Sequence, residues 1–178
     1  MTGETTAPVD ARAGSAPLIV VMGVSAAGKS SVTRALAARL GVGGWDADDL
    51  HSPDNVAKMA AGTPLTDEDR WPWLDAVGAA LAAGRGEGGR VMACSALRRV
   101  YRDRLREVAP EARFVHLHGT PELLQARAAG RAGHYMPPSL LPSQLALLEP
   151  LDPDEDGTVL DVTGPVDEIV TAAVAWIR

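Results

Sequence analysis

The segment Gly23-Val24-Ser25-Ala26-Ala27-Gly28-Lys29-Ser30 constrains this chain more than any other. It spells G-x-x-x-x-G-K-S and directly follows the apolar run Leu18-Ile19-Val20-Val21-Met22. A buried strand before the loop and a helix after it are the context such a motif requires. The helix is predicted over 29–40, with Val32, Leu36 and Leu40 on one stripe. A loop of this kind turns its backbone N–H groups inward around phosphate oxygens. Lys29 then reaches the outer phosphates, the Ser30 hydroxyl can ligate Mg²⁺, and the helix aims its positive end at the same anion. Gly23, Val24, Ser25, Ala26, Ala27, Gly28, Lys29, Ser30 and the adjoining Ser31 are read as the nucleoside triphosphate site.

Composition limits the partners. A chain of 178 residues has room for one domain with a full core. Its net charge of −6 provides no basic surface for nucleic acid. Its apolar runs are far shorter than a membrane span. No cationic start followed by an apolar core opens the sequence, so no secretory signal is expected. Cys94 is the single cysteine, which rules out an intrachain disulfide and suggests a reducing cytoplasm. Fifteen of the 17 basic residues are arginine, and the two lysines are Lys29 and Lys58. A compact ammonium at the phosphate loop does what a planar guanidinium cannot, and this draws attention to Lys58 as well.

Residues 1–16 are rich in Thr, Ala, Gly and Pro without periodicity and read as a disordered tail. Residues 17–178 read as a single domain. Strands are predicted over 18–22, 90–94, 113–117 and 158–162, with a short one near 44–46. Helices are predicted at about 30–40, 70–83, 97–108, 121–129, 139–149 and 166–177. This alternation predicts an α/β three-layer sandwich around a five-stranded parallel sheet, and the phosphate loop after its first strand makes it P-loop NTPase-like. Gly84–Gly89 is read as a surface turn, because it lacks a GK[ST] ending and precedes a strand. Two stretches, 46–70 and 127–149, are too long and too rich in special residues to be plain connectors. The second is read as a mobile lid.

Asp46 and Asp48 sit where the short second strand should end. Ligands of parallel sheets bind outside the carboxyl ends of the strands. Residues two apart on an extended segment point the same way, so both carboxylates are expected to face the phosphate loop. Asp46 is assigned to the metal with Ser30. Asp48 is assigned to the acceptor hydroxyl, as proton acceptor or as aiming group.

Beyond the loop the chain reads Asp46-Ala47-Asp48-Asp49-Leu50-His51, Asn55-Val56-Ala57-Lys58-Met59 and Gly62-Thr63-Pro64-Leu65-Thr66-Asp67-Glu68-Asp69-Arg70-Trp71-Pro72-Trp73-Leu74. It continues with Cys94-Ser95-Ala96-Leu97-Arg98-Arg99-Val100-Tyr101-Arg102 and Arg131-Ala132-Gly133-His134-Tyr135-Met136. Together these closely resemble the gluconokinases of the P-loop type, over about residues 18–178. Ser143-Gln144 and Leu148-Glu149-Pro150 belong to the same likeness. The departures are modest. Ala26-Ala27 replaces a Gly-Ser pair, Arg98 a lysine and Tyr135 a phenylalanine, and Pro137-Pro138 stiffens the lid. An alanine at a positive φ costs energy, so the loop is expected to hold Ala26 at an allowed angle.

The resemblance implies transfer of the ATP γ-phosphoryl group to the terminal hydroxyl of D-gluconate, with ATP and Mg²⁺ bound, in a cytoplasmic homodimer. A small polyol with one carboxylate needs a cation and several hydrogen-bonding groups. By likeness to the related shikimate kinases, Arg70 is the leading carboxylate clamp. His51, Lys58 and Arg98 are further substrate contacts, with His134. Arg131 is expected on the γ-phosphate, as a catalytic residue with Lys29 and Asp48. Arg127 is expected on the adenine or phosphate side, and Thr163 in the turn lining the adenine pocket. Trp71 and Trp73 are read as packing the helix start. His116 and His118 lack partners for a metal site. Cys94 is read as an inert buried thiol.

Other functions fit less well. A GTP switch needs N-K-x-D, yet Asn55 is the sole asparagine and Val56 follows it. Asp154-Glu155-Asp156-Gly157 spells D-x-x-G but comes too late in the chain. A non-catalytic nucleotide module would lack the acids and the arginines. Among enzymes, shikimate kinase or a nucleotide kinase is the alternative, and the long 51–70 insert favours gluconate over either.

Overall fold

The computed structural model describes residues 16–130 and 137–178. The strands are β1 (Leu18–Met22), β2 (Gly43–Asp46), β3 (Arg90–Ala93), β4 (Arg113–His118) and β5 (Gly157–Asp161). All pair in parallel, in the order β2-β3-β1-β4-β5. The helices are α1 (Lys29–Leu40), α2 (Pro53–Ala60), α3 (Asp67–Ala83), α4 (Arg99–Val108), α5 (Pro121–Ala129), α6 (Leu141–Leu147) and α7 (Val166–Ile177). The fold is the expected α/β architecture with a five-stranded parallel sheet.

Strand β1 lies at the centre, with every residue buried. That explains its unbroken apolar sequence, since a parallel strand covered on both faces has no polar side to show. Its side chains divide by alternation. Ile19 and Val21 meet Val32 and Leu36 of α1, Leu124 of α5 and Ile169, Val170 and Ala173 of α7. Leu18, Val20 and Met22 meet Leu74, Val77 and Leu81 of α3 with Tyr101 and Leu105 of α4. Each large apolar side chain so buried contributes about 1.5–3 kcal/mol, and the two cores clamp β1 so that its carboxyl end delivers the phosphate loop to a fixed place.

Several boundaries differ from expectation. Helix α2 stands inside the stretch read as irregular, capped by the Ser52 hydroxyl, which accepts the Asn55 N–H at 3.2 Å, with Pro53 at its first position. Helix α3 begins at Asp67, three residues early, because Thr66 and Asp69 form a capping box. Helix α4 starts at Arg99, two residues late. Arg98, inside the predicted helix, is extended at φ −105° and ψ 151° and serves as the cap residue instead. The helix expected over 139–149 is a short turn at Pro138–Leu140 followed by α6. Its end is pulled off axis, since the Glu149 N–H donates to Leu97 O at 2.8 Å and the Glu149 carboxylate accepts the Arg99 N–H at 2.6 Å.

One fully buried ion pair holds that end. Arg102 Nε and Nη2 each donate to Glu155 at 2.7 Å. The remaining guanidinium protons reach the carbonyls of Ala96, Leu97, Glu149 and Pro150 at 3.0–3.3 Å. Burial pushes the Glu155 carboxyl up. Hydrogen bonds from Arg102, the Asp152 N–H and Arg106 outweigh it and hold the group at about 2.

His116 of β4 is buried, and its Nδ1 has no partner among the described residues. Burial, then His118 and Arg102, lower its pKa to about 4. The unfolded chain therefore binds a proton that the folded chain refuses between about pH 6.5 and 4. Stability is expected to fall as pH drops through that window, by on the order of 3 kcal/mol from this group. Urea titrations at stepped pH check this. His116→Gln should flatten that limb, and an unchanged limb would assign the loss elsewhere.

Candidate active site

The phosphate loop runs from β1 into α1. Gly23 has φ 142°, and a Cβ there would lie 2.8 Å from Leu117 O. Only glycine lets the loop leave the strand so close to β4. The Gly23 N–H donates to Ser95 O at 3.3 Å, tying the loop to the end of β3. Ala26 was expected at an unstrained angle but sits at φ 64°, in the left-handed region, at a cost of about 1–2 kcal/mol for a residue with a Cβ. The first turn of α1 carries no side-chain cap and no acid. Helices α2, α3 and α5 are all capped by a serine or threonine hydroxyl. Without a cap or an acid there, the positive end of the α1 dipole faces the loop, which suits an anion. Lys29 Nζ donates to Val24 O at 3.0 Å, folded over the loop. Ser31 is exposed on α1.

A cavity opens beside the loop. It is lined by Ser25, Ala26, Gly28, Lys29 and Ser30 on one side and by Asp48, His51 and Arg70 on the other. Asp46 ends β2 and accepts Ser30 Oγ–H at 2.6 Å through Oδ2. Its Oδ1 accepts the Asp48 N–H at 3.1 Å. The two acids are therefore not side by side on an extended segment, as expected. Residues 47–50 coil into a 3₁₀ turn capped by Asp46, and this turn carries Asp48 into the cavity while Asp46 stays at Ser30. The separation of roles is sharper than strand alternation would give. The Ser30 hydroxyl and the Asp46 carboxylate form a hard oxygen pair of the kind Mg²⁺ accepts when phosphates and water complete its shell.

Trp73 anchors this turn. Its indole N–H donates to Ala47 O at 2.7 Å, and its ring stacks on His51 with centroids 4.3 Å apart. Trp71 meets Tyr101 edge-on at 5.7 Å, so both tryptophans pack around the start of α3. Burial lowers the His51 pKa against the upward pull of Asp48, with Arg70 adding to the lowering. The imidazole is neutral at pH 7, and its Nδ1 is buried without a partner among the described residues. Arg70 Nη1 donates to Leu65 O at 2.5 Å and to Tyr101 Oη at 3.3 Å. Its nearest carboxylate, Asp67, lies 4.0 Å away, so the ion pair is marginal and the guanidinium faces the cavity.

The other expected contacts fall in different places. Lys58 Nζ bonds Asp69 at 2.6 Å and lines a neighbouring cleft between α2 and α3. Arg98 is held by Asp67 at 2.7 Å and Glu149 at 3.2 Å. Neither encloses the cavity that holds Asp48. The resemblance implied both as substrate contacts; here each is paired with an acid on α3. Arg127 Nη2 donates to Val162 O at 2.7 Å, which sets it beside the turn of Thr163. The Thr163 N–H and hydroxyl both donate to Asp161 Oδ1. Arg131 and His134 lie outside the described residues. Cys94 is buried, and burial pushes its thiol up to about 12, so it is no nucleophile.

Residues given no site role from the sequence complete the walls. Met59, Leu65 and Leu140 form a small apolar cluster on the acceptor side. Ser143 and Gln144 of α6 also line the cavity, and the Ser25 N–H donates to Gln144 Oε1 at 2.6 Å. The Ser52-Pro53 pair is a helix-start signal that would have revealed α2. No local signal marks Gln144 as a neighbour of Ser25, since 119 residues separate them.

Comparison with known proteins places this geometry in a family. Residues 18–151 match the family model described as an AAA domain. A gluconokinase from Gluconobacter oxydans is 47% identical over 150 residues, covering 82% of each chain. The crystal structure of a gluconokinase from Sinorhizobium meliloti 1021 is 48% identical, covers 91% of both chains and superposes with a TM-score of 0.82. That of a sugar kinase from Janibacter sp. HTCC2649 is 46% identical, covering 89% of this chain and 92% of its own, with a TM-score of 0.84. With a phosphate loop at the end of β1, an acid presented across the cavity from it, and this similarity over most of its length, the chain belongs to the gluconokinase family of P-loop kinases.

Proposed function

We propose that this chain transfers the terminal phosphoryl group of ATP to the terminal hydroxyl of D-gluconate, giving 6-phospho-D-gluconate and ADP. The observation that carries the reading is the single cavity with Lys29 and Ser30 on one wall and Asp48, His51 and Arg70 on the other. The triphosphate lies along the loop amides and the start of α1, with Lys29 leaving Val24 O to meet the outer phosphates. Ser30 and Asp46 would hold Mg²⁺, which when bound draws charge from the phosphate oxygens. The acceptor oxygen attacks the γ-phosphorus, the bond to the β-γ bridging oxygen breaks, and the hydroxyl proton passes to the Asp48 carboxylate. Neutral His51 hydrogen-bonds a polyol hydroxyl, and Arg70 takes the carboxylate of the sugar acid. Arg131 and His134 complete the phosphate and substrate contacts in this reading, and a homodimer is its assembly.

A coupled assay with ATP, Mg²⁺ and gluconate, run beside shikimate and nucleoside monophosphates, tests the function. Turnover on gluconate is expected. Turnover on one of the others with none on gluconate would replace the substrate. Arg70→Ala should raise the gluconate KM by roughly ten- to a hundredfold, as the loss of a charge-assisted hydrogen bond does, with the ATP KM little changed. An unchanged gluconate KM with a lowered melting temperature would make Arg70 a support for Tyr101 and Leu65 instead.

A further inference from the structure

One of the phosphate loop's own donors is already occupied, and by a neutral side chain from a distant helix. The Ser25 N–H donates to Gln144 Oε1 at 2.6 Å. An N–H donor fixes the amide orientation, since only the oxygen of Gln144 can accept from it. Lys29 Nζ is meanwhile held by Val24 O at 3.0 Å. Two groups that a triphosphate would engage thus have internal partners.

The side of the loop on which this happens is informative. Gln144 belongs to α6, whose preceding turn packs Leu140 against Met59 and Leu65. Those residues wall the acceptor side of the cavity. Gln144 therefore reaches Ser25 from the acceptor side, away from the start of α1, where the inner phosphates sit. The cavity beside Gln144 measures about 70 Å³, against roughly 300–1,000 Å³ for a typical small-ligand site.

We infer that Gln144 holds the place of an oxygen of the transferring phosphoryl group. Its carbonyl keeps the Ser25 N–H hydrogen-bonded while the cavity lacks a γ-phosphate, sparing the penalty of a buried unpaired donor. A γ-phosphate oxygen is the stronger acceptor and displaces it. The terminal phosphate and Gln144 thus compete for one N–H, whereas a diphosphate does not reach it. This rests on the kinase reading above for the presence of a triphosphate in the loop.

Two variants test the competition through nucleotide binding, measured calorimetrically with Mg²⁺ and either ADP or a non-hydrolysable ATP analogue. Gln144→Glu puts a carboxylate on the Ser25 N–H. It should weaken the triphosphate analogue by roughly tenfold or more while changing ADP by less than about threefold. Gln144→Ala removes the competitor and should bind the analogue at least as tightly as the wild type. Retained ADP binding serves as the folding control in both. Equal weakening of the two nucleotides by Gln144→Glu, or loss of analogue affinity in Gln144→Ala, would overturn the inference. Wild-type turnover on gluconate is scored separately. Its absence would remove the substrate assignment and leave the contrast between the two nucleotides standing or falling on its own.

Discussion

Asp48→Ala is expected to lower kcat by at least about a hundredfold, the lower end of what a positioned proton acceptor contributes, while ATP binding stays within about threefold. The expectation comes from how firmly Asp48 is presented. Its turn is capped by Asp46 at one end. The Trp73 indole grips the turn at Ala47. The carboxylate thus faces the loop on a rigid element and needs little rearrangement to meet a hydroxyl. It makes no part of the phosphate cradle, which is why nucleotide binding should survive its loss. Asp48→Asn separates two roles. An asparagine can still aim the hydroxyl but cannot take its proton. Equal loss in both variants assigns proton transfer to Asp48, and a nearly active asparagine variant assigns aiming. Near-wild-type kcat in the alanine variant would remove Asp48 from the chemistry.

Glu155→Ala should be the most damaging single change to stability. It would leave the fully buried Arg102 guanidinium without its counter-charge, a situation that costs about 3–5 kcal/mol. A chain of this size should then melt about 10 °C lower. The same pair gives the protein an acid limb. Glu155 titrates at about 2 in the fold and near 4.5 unfolded. Its contribution is therefore present above pH 4.5 and lost as pH falls toward 2. Replacing both partners, as Arg102→Met with Glu155→Leu, should cost less than Glu155→Ala alone, because no buried charge is then left unpaired. Thermal or urea unfolding of the three variants decides it. A Glu155→Ala protein within about 1 kcal/mol of wild type would mean that water reaches Arg102 and the strap is weaker than its geometry.

The sheet and its two cores were legible because β1 is an unbroken apolar run and the middles of β3 and β4 are buried apolar residues, interrupted in β4 only by His116. The phosphate loop was legible because its chemistry is local. Gly23, Gly28, Lys29 and Ser30 act within eight residues. The pairing of Ser30 with Asp46 was readable because sheet topology brings the ends of β1 and β2 to one rim. The positions of Lys58 and Arg98 were not, since each is decided by which acid of α3 lies nearest once the helices pack. Arg102 stood in the sequence as one arginine among fifteen. Its burial depends on Glu155, 53 residues away, and on carbonyls freed where α4 and α6 begin and end. The contact of Gln144 with Ser25 was hidden for the same reason. Contacts made by ligand-facing side chains across the molecule have no periodicity to betray them.

A co-crystal with Mg²⁺, ADP and 6-phosphogluconate tests most directly whether donor and acceptor meet in one cavity. The phosphate of the sugar acid should lie within hydrogen-bond reach of Lys29 Nζ and the Ser25 N–H, facing the ADP β-phosphate. Asp48 should stand beside the bridging oxygen and Arg70 at the far carboxylate. A sugar acid seated instead in the cleft between α2 and α3, or remote from the nucleotide with Asp48 turned into solvent, would contradict it.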